Sequence, residues 1–97
     1  MYTDELRGNQ LVPHFLMHSY LYYIRLESII TDAEYDKLCK RLSDEWEGVT
    51  HHHKHLIDRE ALRAGTGFYL KEMDYPLIAK TTALTLSDFY QRDQGDT

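Results

Sequence analysis

Apolar positions recur along the chain at spacings of three and four, the pattern of helices that each bury one side. The first such stretch predicts a helix over residues 13–27, because Pro13 suits a first helical turn, where its missing N–H has no partner to lose. At about 100° per residue, His14, His18 and Arg25 fall together as a polar face. Val12, Leu16, Tyr20, Tyr23 and Ile24 cover the opposite side, with Tyr22 at the border. The segment "ESIIT" breaks the period. Thr31 followed by Glu34 then reads as a capping box, so a second helix is expected from Asp32, with an apolar stripe of Tyr35, Leu38, Cys39, Leu42 and Trp46. Gly48 is the expected terminator. Two helices with a short link predict an antiparallel hairpin over residues 13–47.

The rest of the chain patterns less sharply. A helix is expected over residues 58–64, ended by Gly65, and "GFYLKEM" reads equally as a short strand or an extended loop. Pro76 opens a last helix whose threonines lower its propensity and in which Ser87 is a point of restart. These elements, over residues 50–92, are expected to cover the hairpin, which alone would expose an apolar side. Homodimerisation is a second way to cover it. The expected fold is mainly α, in a single domain, since 97 residues cannot supply two cores.

Composition narrows the function classes. Sixteen acidic against 11 basic side chains give a formal charge of -5, which repels a phosphate backbone and argues against direct binding of duplex nucleic acid. A single cysteine rules out an intrachain disulfide framework, and no apolar run is long enough to span a bilayer or to serve as a signal peptide, so no membrane association is expected and a cytoplasmic setting fits.

Candidate chemistry concentrates in "YLYYIRLESIITDAEYDKL". Asp32 and Asp36 lie one helical turn apart beside the apolar stripe, with Tyr35 between them. Antiparallel packing brings Tyr22 close to Tyr35, giving two aromatic faces and two carboxylates. Such a set suits a planar cation that carries hydroxyls: ring faces attract positive charge, and carboxylates accept hydrogen bonds. The plainer alternative is that Asp32 serves the helix dipole, Asp36 is solvated and the tyrosines belong to the core.

Residues 18–42, "HSYLYYIRLESIITDAEYDKLCKRL", resemble the N-terminal Ia domain of NAD-dependent DNA ligases, with a tyrosine-rich helix followed by Asp-Ala-Glu-Tyr-Asp. The resemblance implies a helical hairpin that grips the nicotinamide mononucleotide (NMN) half of NAD. It implies that Tyr22 and Tyr35 sandwich the nicotinamide and that Asp32 and Asp36 bind its ribose and amide. Tyr23 stands where the family has a histidine on the phosphate side. The Lys-x-Asp-Gly motif of the adenylation step is missing, so no nucleophile is available for nucleotidyl transfer and ligation by this chain is excluded. The chain as a whole resembles small stand-alone ligase-related proteins of bacteriophages, which implies a host cytoplasm. The expectation is a non-catalytic NMN- or NAD-binding domain. The alternative is an interaction module that binds and modulates a host protein of nucleic-acid metabolism. A glycosidic-bond hydrolase of NAD using Asp32, Glu34 or Asp36 ranks last.

Three further features carry less. His51 and His55 in "HHHKH" have the spacing of a chelating pair on a helix, with His52, Cys39 or Asp58 as further donors. No second ligand pair accompanies them, so a polar loop without metal is expected. "GTG" at residues 65–67 reads as a turn and Cys39 as a small buried side chain.

Overall fold

The computed structural model describes residues 2–67 and 69–95. Two 3₁₀ turns, Tyr2–Glu5 and Gly8–Gln10, lead into α1, Leu11–Ser19. The helix continues without a break as a π-helical segment, Tyr20–Arg25. After a link comes α2, Asp32–Asp44, then a 3₁₀ turn, Trp46–Gly48. A second 3₁₀ turn, Lys54–Leu56, precedes the short α3, Arg59–Arg63. A turn at Glu72–Asp74 and α4, Leu77–Gly95, are the last described elements. The fold is mainly helical, and among the described residues there is no strand. No described helix is long and apolar enough to cross a membrane.

Local chemistry explains most boundaries. Thr31 caps α2, its hydroxyl accepting from the Glu34 N–H at 3.1 Å. The reciprocal half of the expected capping box is replaced: the Glu34 carboxylate accepts from Thr3 Oγ1, at 3.4 Å, and so ties α2 to the N-terminal turn. Pro13 sits in the first turn of α1, where free N–H groups make its ring harmless. Asp58 caps α3 by accepting from the Glu60 N–H at 3.0 Å, and Gly65 leaves the helix at a φ of 72°, a left-handed conformation that glycine adopts without penalty. The π segment ends at Leu26, which holds the same left-handed region at φ 55° without that freedom.

α1 and α2 run antiparallel. The Gly8 N–H ahead of α1 donates to Glu45 just beyond α2, whereas Phe15, Ser19 and Tyr22, further along, meet Tyr35 near the start of α2. Arg41 reinforces the pairing by donating to the Thr3 and Leu6 carbonyls. α3 packs against α2, and α4 against α1 and the π segment. The core gathers Leu11, Phe15, Leu16 and Leu21 with Leu38, Leu42, Val49 and Leu62. Each such side chain, removed from water, contributes about 1.5–3 kcal/mol.

Several expectations need correction. His18 does not belong to a polar face: it is 2% exposed, and His14 one turn earlier is half-buried, because α4 lies along that side of α1. Trp46 leaves the α2 stripe, since the helix ends at Asp44 and the indole lies half-buried beneath the Lys54 ammonium, 4.6 Å from the ring. Of the two readings of "GFYLKEM" the strand falls away: its described residues form turns, with Leu70 N–H donating to the Gly67 carbonyl and Asp74 N–H to that of Lys71. Phe68 of that stretch lies outside the described residues. α4 does not restart at Ser87. Thr81 and Thr85 return their hydroxyl hydrogen bonds to the carbonyls of Leu77 and Thr81, so the helix runs on through the threonines.

Candidate functional site

Tyr35 is the centre of the site. It faces inward one turn from the Thr31 cap, is buried, and shares a 2.6 Å hydrogen bond with Ser19 Oγ of α1. Burial drives its phenol far above the usual tyrosine range, so the ring stays neutral. Phe15 stacks on it from within the core, with ring centroids 6.0 Å apart, and Tyr22 stacks from the side of the π segment at 5.7 Å and an interplanar angle of 21°. Tyr23 meets the same ring edge-on at 6.1 Å, and Tyr22 and Tyr23 pack edge to face at 4.7 Å. The π segment thus offers consecutive tyrosines to one ring of α2. Such local departures from α geometry recur at functional sites.

Polar groups surround the rings. Tyr22 hydrogen-bonds to Asp32, and this bond with the nearby carboxylate charge raises the Tyr22 phenol above its ordinary value. The hydroxyls of Tyr23 and Thr66 lie 3.1 Å apart, joining the π segment to the loop after α3. Tyr22, Tyr23, Asp32, Tyr35 and Asp36 line a single cleft of about 200 Å³, completed by Gly65. A larger cleft of about 560 Å³ shares Asp36 and Gly65 and continues between α2 and α3 past Lys40 and Arg63. One end of the combined groove is aromatic and acidic. The other end offers cations alongside Asp44.

The spacing of the rings constrains what can enter. A planar group held between two rings needs centroids about 7 Å apart, two contact distances of about 3.5 Å. Tyr22 and Tyr35 are 5.7 Å apart, so a sandwiched ligand requires one ring to move. Tyr35 is held by Ser19 and by burial. Tyr22, half-exposed and hydrogen-bonded to Asp32 at the cleft, is the ring able to swing away.

Sequence reasoning missed Ser19 and the loop at residues 65–67 as parts of this site. A Cβ on Gly65 would lie 3.2 Å from Asp36 Oδ1, and one on Gly67 would lie 2.7 Å from Ser19 Oγ and 2.9 Å from the Tyr35 hydroxyl. The "GTG" turn is therefore a wall of the cleft, in which Gly67 leaves no room for a side chain and Gly65 leaves little. Its run of small residues was the available signal.

Other candidates fall elsewhere. The histidine run is not an α-helix: a turn over residues 51–54, closed by Lys54 N–H to the His51 carbonyl at 3.0 Å, is followed by the 3₁₀ turn. The His51–His55 helical pair is not formed, and His55 Nδ1 lies 2.9 Å from the His52 carbonyl. Instead, His51, His52 and His53 cluster, with one nitrogen from each ring within 4.8 Å of the others. Cys39 is buried, and desolvation pushes its thiol up to about 12, which keeps it protonated.

Compared with protein-family models, curated proteins and solved structures, the chain finds no match in any of the three. The resemblance carried by residues 18–42 therefore rests on those residues alone.

Proposed function

We propose that the chain is a non-catalytic binding domain for nicotinamide nucleotides, of the kind represented by domain Ia of NAD-dependent DNA ligases. The observation that carries this reading is the meeting of Tyr22, Tyr23, Asp32, Tyr35 and Asp36 in one cleft. A nicotinamide ring, planar and positively charged, enters as Tyr22 swings off Tyr35. That motion frees the Asp32 carboxylate from the Tyr22 hydroxyl, and ribose or amide donors of the ligand replace it. Asp36 supplies a second acceptor at the junction of the two clefts. With Tyr23 engaged by Thr66, the phosphate side is directed along the groove toward Lys40 and Arg63.

Calorimetric titration with NMN tests the reading. Tyr22→Ala and Asp36→Ala should each cost about 1–3 kcal/mol, or about 5-fold to 150-fold in affinity. Lys40→Ala should weaken NMN but leave nicotinamide riboside, which lacks the phosphate, unchanged. ATP should bind poorly, because adenine carries no ring charge and the triphosphate meets Asp32 and Asp36 with like charge. Absence of saturable binding of NMN or NAD up to millimolar ligand, with the protein folded, rejects this function.

One observation favours the second reading, an interaction module for another protein. α4 leaves Leu77, Ile78 and Phe89 at 76%, 68% and 67% exposure, a large apolar display for a helix packed on a core. In that case nicotinamide nucleotides give no signal, and charged substitutions on α4 abolish partner binding while the fold persists.

A further inference from the structure

The histidine turn is built more firmly than a polar loop requires. At its entrance Asn9 accepts from the Thr50 N–H at 2.8 Å and donates back to Thr50 Oγ1 at 3.2 Å. At its exit the Leu56 and Ile57 N–H groups donate to the His53 and Lys54 carbonyls at 3.1 and 3.0 Å. Between them Lys54 Nζ donates to the Trp46 and Val49 carbonyls at 2.7 and 2.9 Å and lies over the Trp46 ring. The nearest cation in sequence is thus held by carbonyls and an indole. The three imidazoles are left together, with ring centroids 4.5 Å apart for His51 and His52, 3.9 Å for His52 and His53, and 5.3 Å for His51 and His53.

The cluster also faces a cavity. His51, His52 and His53 line a cleft of about 330 Å³ whose opposite wall, from α1 and α4, includes His14 and Met17. We propose that His51, His52 and His53 bind a divalent late transition-metal ion such as Zn²⁺ in this cleft. Three imidazoles suit zinc, nickel and copper, and three ligands from one side leave a further coordination position open toward the cleft. The ring nitrogens need to close from their 4.8 Å spread by rotation about the side-chain bonds. Coordination by His51 gives up one hydrogen bond, that from the His53 N–H to His51 Nδ1 at 3.1 Å.

This cleft and the tyrosine cleft have no lining residue in common, so each proposal stands or falls alone. The test is titration of the metal-free protein with ZnCl₂ and NiCl₂ against a chromophoric chelator, with circular dichroism to verify folding of every variant. The expected result is one equivalent bound, with Kd on the order of micromolar, and a rise in melting temperature on adding zinc. His52→Ala and His53→Ala should each weaken binding by roughly 10-fold or more, while His55→Ala changes it by less than about 2-fold. Binding weaker than about 100 μM, binding that survives His53→Ala unchanged, or binding that His55→Ala abolishes overturns the proposal.

Discussion

α1 and α4 pack against each other, yet they do so by opposite means. In α1 every residue except Pro13 and His14 is buried, with Leu11, Phe15 and Leu16 fully enclosed between α2 and α4. In α4 the buried positions include Ala79, Ala83 and Ser87, spaced by four, while Leu77, Ile78 and Phe89 stand in solvent. Large side chains fill space on one helix, and small ones on the other let the backbone approach. A helix enclosed on all sides has no polar face to find, and one that packs through small residues hides its contact face from any search for large apolar ones. This is why His18 reads from the sequence as exposed although it is buried.

The largest expected effect lies at the filled helix. Phe15→Ala removes a ring enclosed in the core and stacked on Tyr35, and should cost about 3–5 kcal/mol. The midpoint of urea unfolding measures it. A loss below about 1 kcal/mol would mean that α1 is not the filled helix described above.

The buried His18 gives the next effect, and its sign is set by burial. Desolvation, helped by His14, lowers its pKa from 6.5 to about 4 in the folded chain. Below pH 6.5 the unfolded chain takes up a proton that the folded chain refuses until about pH 4. Stability is therefore full above that window and falls through it by up to about 3 kcal/mol. The His14 pKa is lowered as well, and adds in the same direction. Unfolding free energies measured from pH 7 to pH 4 should fall more steeply for the native sequence than for His18→Gln, and equal slopes contradict the burial argument.

Gly67→Ala brings the comparison to the cleft wall. The new methyl would meet Ser19 Oγ at 2.7 Å and the Tyr35 hydroxyl at 2.9 Å, inside a buried contact that cannot open freely. The expected cost is about 1–3 kcal/mol. Ala at the exposed Gly48, where a methyl meets nothing within 4 Å, is the control. Leu26→Gly should act in the opposite direction. Leu26 is 82% exposed and holds a left-handed conformation, so relief of strain outweighs the added freedom of the unfolded chain by about 0.5–1 kcal/mol.

What the sequence discloses depends on how far apart the partners lie. Thr31, Gly65 and Pro76 mark their helices because capping, left-handed turns and helix starts are local chemistry. Tyr22, Asp32, Tyr35 and Asp36 are marked by helical spacing across one short link. Ser19 against Tyr35, Tyr23 against Thr66 and Gly67 against both Ser19 and Tyr35 join positions with no shared period, so nothing local announces them. The histidine turn sits between these cases. Its residues are adjacent, but only the turn at residues 51–54 decides that His53 rather than His55 joins His51.

The smallest effect tests the open face of α4. Ile78 is 68% exposed, so Ile78→Ser removes little buried surface and should change unfolding free energy by no more than about 0.5 kcal/mol in dilute protein. A helix face covered by a second copy behaves differently, because association contributes to stability by mass action and makes the melting temperature depend on concentration. The measurement is thus a pair of melts for each chain, at low and at roughly 100-fold higher protein concentration. If α4 is free, native and substituted chains keep the same small difference at both. If Ile78→Ser costs more than about 1 kcal/mol, or if the native melting temperature climbs with concentration while the variant's does not, the apolar display is buried in solution. The contrast with α1 would then be between two covered helices, one enclosed by its own chain and the other by a neighbour.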